Sequence, residues 1–127
     1  MRAKKVVVAD DDRDTVLTLT TLLETEGYEV YGAHSGAEAL EVASKVDPDA
    51  VVLDIALPKL SGWEIARRIR ERLGDARPLL IGISGQYRQG ADKILSQILG
   101  FDHYMVKPCD FSSLVALLPP VRSRKAA

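Results

Sequence analysis

The stretch that most constrains this chain is Ala50-Val51-Val52-Leu53-Asp54, four apolar residues running straight into an aspartate, with Pro58 and Gly62 close behind. A short β-rich apolar run bounded by turn residues reads as a buried strand. Asp54 then stands at the strand's carboxyl end, where open α/β sheets hold their ligands. A carboxylate in that position is costly unless a cation or donors offset its charge. Candidate partners recur along the chain at equivalent places.

Four other short strand patterns accompany it: Val6 to Ala9, Leu79 to Ser84 and His103 to Val106, and Tyr28 to Tyr31, which alternates apolar and charged residues as a half-exposed strand would. Helical patterns alternate with them. Val16, Leu19, Leu22 and Leu23 fall on one side of the first helix, and Gly27 is placed to end it. Ser35 and Glu38 form a capping box for the second, which buries Ala39, Leu40 and Ala43 before Asp47-Pro48 breaks it. Ser61 and Glu64 repeat the box for the third. That helix turns Ile65, Ile69 and Leu73 inward and Arg67, Arg68, Arg70 and Arg72 largely outward, as a solvated face. Gly74 ends the third helix. A fourth carries Ile94, Leu95, Ile98 and Leu99, and a last short one, capped by Asp110, carries Leu114, Leu117 and Leu118 up to Pro119-Pro120.

Five strands alternating with five helices predict a parallel sheet covered on both faces. Right-handed crossovers leave the flavodoxin-like, doubly wound strand order 2-1-3-4-5. Residues 1–120 form the domain, and 121–127 read as a basic tail or linker stub. The 127 residues suit one domain, and 46% hydrophobic with 28% charged residues is a globular balance. A net charge of −1 offers no footprint for nucleic acid or an anionic membrane, and no apolar run is long enough to span a bilayer. One cysteine, Cys109, excludes an internal disulfide and fits a reducing compartment. With no room for a signal peptide before the first strand, the expected location is cytoplasmic.

In this order strands 1 and 3 are neighbours, so Asp10-Asp11 meets Asp54 at the switch point. Three acids there repel one another, and a hard cation with oxygen ligands relieves the repulsion. Magnesium on Asp10, Asp11 and Asp54 accounts for the cluster. Alone, the Asp10-Asp11-Asp12 run reads more readily as the cap of the first helix, a role that suits Asp12 best. Ser84 ends strand 4, and Lys107-Pro108 follows strand 5. A hydroxyl and an ammonium there can meet two phosphoryl oxygens on Asp54 while the metal meets the third. Singly, each is an ordinary surface residue; their joint placement carries the reading.

The set Asp10-Asp11, Asp54 with Leu57-Pro58 and Gly62, Ser84-Gly85, and Lys107-Pro108 resembles the receiver domain of two-component response regulators, from Val6 to Leu118. The resemblance implies a phosphorelay phosphoprotein acting in signal transduction. Asp54 would accept a phosphoryl group from a phosphohistidine on a histidine kinase or histidine phosphotransfer protein. Asp10, Asp11, Asp54 and the backbone carbonyl of Ala56 would hold Mg²⁺. Ser84, Gly85 and Lys107 would bind the phosphoryl group. Ser84 and Tyr104 would form the switch, and Lys107-Pro108 would be a cis peptide. Output would pass through the helix after strand 4, strand 5 and the last helix to an effector domain or protein. Such a domain is not an enzyme, although it assists its own phosphorylation and dephosphorylation.

The run Leu57 to Gly62 is closest in style to receivers of hybrid sensor kinases. The last helix lacks the arginine that winged-helix regulators use for pairing. The chain reads as a stand-alone receiver or a piece of a larger protein. Two other readings differ in class. Asp10 to Thr15 faintly resembles the nucleophile motif of haloacid-dehalogenase-like phosphatases, but only Asp110 follows Lys107 as an acid. An unphosphorylated adaptor with the receiver fold would have no need for the complete polar set.

Overall fold

The computed structural model describes residues 4–54, 62–74, 78–84, 101–106 and 110–121. Its strands are β1 (Lys5–Ala9), β2 (Glu29–Ala33), β3 (Ala50–Asp54), β4 (Leu79–Ser84) and β5 (His103–Val106). Its described helices are α1 (Arg13–Thr25), α2 (Gly36–Val46), α3 (Gly62–Leu73) and α4 (Phe111–Leu117). The helix expected around Ile94 to Leu99 lies outside the described residues. All strand pairs are parallel, in the order β2-β1-β3-β4-β5.

Alternation along the central strands builds two cores. Val7, Ala9, Val51, Leu53 and Leu80 face Ala39, Leu40 and Ala43 of α2 and Ile65, Ala66 and Ile69 of α3. Val6, Val8, Ala50, Val52 and Ile81 face the other way, against Leu23 of α1 and Leu114 and Leu118 at α4. Both faces are covered, so β3 is buried at every residue and its sequence is a continuous apolar run.

The helix ends follow local chemistry. Gly27, at φ +99°, closes α1: its N–H donates to the Glu24 carbonyl at 3.0 Å, and the Tyr28 N–H donates to the Leu23 carbonyl at 3.2 Å. This pair of bonds satisfies carbonyls left over at the helix end, and the left-handed position favours glycine. Ser35 Oγ accepts from the Glu38 N–H at 3.1 Å, while the Glu38 carboxylate accepts from the His34 N–H at 2.8 Å, one residue earlier than in the usual reciprocal box. Asp110 caps α4, accepting from the Ser113 N–H and from the Ser112 and Ser113 hydroxyls. The Ser113 hydroxyl, then its N–H, then the Ser112 hydroxyl hold the Asp110 carboxyl below its ordinary value.

Four expectations change. Leu22 is 37% exposed, so the buried stripe of α1 is Val16 and Leu23, with Leu19 packed at its margin. β2 begins at Glu29 and runs to Ala33, whereas the sequence pattern spans Tyr28 to Tyr31. It reaches that far because Gly32 admits α1: a Cβ there would stand 2.8 Å from Val16 Cγ1. Arg70 does not belong to the solvated face. Its side chain is 12% exposed and its guanidinium meets Asp102 at 2.8 Å. Finally, Val121, the first residue of the expected tail, packs against the α1/α4 core. The Tyr28 hydroxyl holds this segment by donating to the Pro119 carbonyl at 2.7 Å. Burial, and secondarily Glu26, pushes the Tyr28 phenol above its ordinary value, so it remains a neutral donor.

Candidate functional site

β1 delivers Asp10 one residue past Ala9, and β3 ends in Asp54. Ala9 pairs with Leu53, so the two aspartates occupy the next rung of adjacent strands. Beyond this rung the chain departs to opposite faces, through α1 on one side and α3 on the other. That divergence opens a crevice at the carboxyl ends of β1 and β3, the switch point of a doubly wound sheet.

Carboxylate oxygens of Asp10, Asp11 and Asp54 lie within 4.8 Å of one another. Asp10 and Asp54 are buried, at 4% and 6% exposure, and Asp11 is exposed. Asp10 is oriented by its own backbone: its N–H donates to the Ala33 carbonyl at 3.1 Å, and its Oδ1 accepts from the Asp12 N–H at 2.9 Å. Asp12 serves the helix. Its Oδ1 accepts from the Asp14 N–H at 3.1 Å and its Oδ2 from the Thr15 hydroxyl at 2.9 Å. The acidic run thus divides its labour, with Asp12 as N-cap and Asp10 and Asp11 beside Asp54.

An all-oxygen donor set with two buried carboxylates suits a hard divalent cation. A cation held there would offset the repulsion between the like charges. The donor chemistry therefore fits Mg²⁺, which Asp10, Asp11 and Asp54 would hold.

Ser84 closes β4, one position past Ile83, the partner of Asp54. It pairs with Val106, and Tyr104 pairs with Gly82. Ala56, Gly85, Lys107 and Pro108 lie outside the described residues. Sequence reasoning missed Arg70 and Asp102, which join α3 to the start of β5. No local pattern marks that pair, since 32 positions separate them.

The doubly wound sheet with acids at its switch point defines a class of ligand-binding α/β domains. Comparison with known proteins narrows it. The model of the response regulator receiver domain family matches residues 6–119, and the chain belongs to that family. The chain is similar to chemotaxis protein CheY4 of Vibrio cholerae, at 24% identity and a TM-score of 0.84, covering 91% of this chain and 95% of that one. It is similar to a response regulator protein of Burkholderia pseudomallei, whose structure contains a phosphorylated aspartic acid, a calcium ion and citrate. That match has 30% identity and a TM-score of 0.81, over 91% of this chain and 66% of that one. It is also similar to a response regulator receiver domain protein of Clostridium thermocellum, at 30% identity and a TM-score of 0.80, over 89% of each chain.

Receiver domains are phosphoacceptor signalling domains that work with histidine kinases and effector domains, and the chain belongs to a two-component system. The phosphatase reading falls away with this membership and with the capping role of Asp12. Among the described residues, no helix is long and apolar enough to cross a membrane.

Proposed function

We propose that Asp54 is the phosphoacceptor. A carboxylate oxygen of Asp54 attacks the phosphorus of a phosphohistidine on a histidine kinase or histidine phosphotransfer protein. The O–P bond forms, the P–N bond breaks, and the imidazole leaves with the electron pair and takes up a proton. Transfer of this kind needs positioning and charge stabilisation more than covalent help from the protein. Mg²⁺, when held by Asp10, Asp11, Asp54 and the Ala56 carbonyl, neutralises charge on the phosphoryl oxygens. Ser84, Gly85 and Lys107 take the remaining oxygens. Ser84 then moves toward the new charge and Tyr104 turns inward, changing the surface of the helix after β4, β5 and α4 for an effector. Lys107-Pro108 is assigned a cis peptide on the family pattern. The lone cysteine fits work in the cytoplasm.

The observation that carries this reading is the buried Asp54 sharing a 4.8 Å cluster with Asp10 and Asp11. The phosphorylated aspartic acid in the Burkholderia relative supports it. The test is intact mass after incubation with acetyl phosphate, with and without Mg²⁺. Wild type gains one phosphoryl unit only with Mg²⁺, and Asp54→Ala gains none. An adduct that persists in Asp54→Ala refutes the assignment. A wild type that neither gains mass nor binds beryllofluoride is an adaptor.

Ala56, two positions past Asp54, has no side chain to hydrogen-bond an attacking water. The phosphoaspartate is therefore expected to be relatively long-lived, unless Gln86 positions that water. Ala56→Asn should speed its decay severalfold, as followed by loss of the adduct mass; an unchanged half-life would sink this expectation.

A further inference from the structure

β5 is the shortest of the described strands, with four residues, and stands at the end of the sheet order with β4 as its neighbour. A one-residue slip turns every side chain of a strand to the opposite face, so the register of a strand bonded along one side must be held by whatever fixes its start. Lys107 is the next residue after Val106. Any slip of β5 is therefore transmitted to Lys107 through the chain itself.

The start of β5 carries an unusual fixture. The Asp102 N–H donates to the Leu80 carbonyl at 2.8 Å. The Asp102 carboxylate returns the bond, Oδ2 accepting from the Leu80 N–H at 2.8 Å. Asp102 thus makes a two-bond rung with β4, its side chain standing in for a backbone carbonyl. The same Oδ2 accepts from Arg70 Nη2 at 2.8 Å. The other guanidinium nitrogen donates to the Pro78 carbonyl at 2.8 Å, on the approach to β4. One planar, largely buried cation therefore spans the residue before β4 and the residue before β5. A guanidinium suits this task because its donors sit in a fixed fork, and charge-assisted bonds are the stronger kind.

We propose that Arg70 and Asp102 are positioning residues that lock the register of β5 against β4 and, through the chain that continues from Val106 into Lys107, support phosphoryl transfer. The inference rests on the phosphoacceptor reading for its consequence, though not for the lock itself. The lock stands at the amino ends of β4 and β5, while the acid cluster stands at the carboxyl ends of β1 and β3. Loss of the lock therefore separates phosphoryl chemistry from metal binding, for which β5 supplies no ligand.

The test compares the full chain as wild type, Arg70→Ala, Arg70→Lys and Asp102→Asn. Three quantities are read well below every melting temperature: amide hydrogen exchange of β5, Mg²⁺ affinity by calorimetry, and the rate of acetyl phosphate phosphorylation by intact mass. Arg70→Ala should speed β5 exchange and slow phosphorylation about tenfold, within the ~100-fold that a misplacement of an ångström can cost. Mg²⁺ affinity should stay within twofold of wild type. Arg70→Lys should restore part of the rate, since one ammonium can meet one of the two anchors. Asp102→Asn, which keeps an oxygen for the Leu80 N–H, should fall between. Arg70→Ala with wild-type β5 exchange overturns the lock. Faster exchange with an unchanged phosphorylation rate overturns its role in phosphoryl transfer. If wild type itself takes no phosphoryl group, the phosphoacceptor reading fails instead, and β5 exchange still decides the lock.

Discussion

Asp54→Asn is expected to make the metal-free protein more stable while abolishing phosphorylation. The three carboxylates of the cluster lie within 4.8 Å, two of them buried. Unit charges 4 Å apart interact by about 1 kcal/mol in water and about 4 kcal/mol at the effective dielectric of a protein surface. Asparagine keeps the shape and one acceptor oxygen and removes one charge from two repulsive pairs. After allowance for solvent screening and for hydrogen bonds made by the carboxylate, a gain of about 1–3 kcal/mol is expected. For a domain of this size that raises the melting temperature by several degrees.

Mg²⁺ should reverse the order. A ligand that binds only the native state stabilises it in proportion to the logarithm of concentration over Kd. Wild type has three carboxylates for the cation and Asp54→Asn has two. Thermal unfolding in EDTA should therefore favour the variant, and millimolar Mg²⁺ should narrow or invert the gap. A variant less stable than wild type in EDTA would show that Asp54 is held by favourable bonds exceeding the repulsion. Stability surrendered at a site for a bound charge is the usual cost of a working centre.

Much of this arrangement is legible in the sequence because its causes are local. Val6 to Ala9, Ala50 to Leu53 and Leu79 to Ser84 are short apolar runs, and each is a strand. Once the strand order follows, Asp10, Asp11 and Asp54 must converge, because adjacent parallel strands present their carboxyl ends together. Asp12, Ser35 and Asp110 cap helices through oxygens whose partners lie two or three residues away. What was not legible depends on partners distant in the chain. Arg70 sits in a row of arginines and differs from them only because Asp102 and Pro78 approach it in space. The reach of β2 to Ala33 depends on α1 coming close enough at Val16 that only glycine fits at position 32. Val121 looks like the start of a polar tail, yet it packs beside Gly27, 3.1 Å from where a Cβ would stand.

The adjacent leucines of α1 give the sharpest stability contrast. Leu23 is fully buried among Val6, Val8, Tyr28 and Leu114, whereas Leu22 is 37% exposed. Successive residues on a helix point about 100° apart, so a stripe that centres on Val16 and Leu23 leaves Leu22 on its shoulder. Leu23→Ala removes three buried carbons and leaves a cavity between β1 and α4, for an expected loss of about 3 kcal/mol within the usual 2–5. That is a large part of the 5–15 kcal/mol that holds a domain together. Leu22→Ala should cost under about 1 kcal/mol, because alanine's helix propensity offsets part of the lost contact. Urea denaturation of both variants measures the difference at an unchanged slope. Equal losses would mean that Leu22 is covered in solution and that the apolar face of α1 is wider than its exposure implies. Because Leu23 lies at the end of α1 remote from Asp10, both variants should still be phosphorylated at the wild-type rate wherever they remain folded.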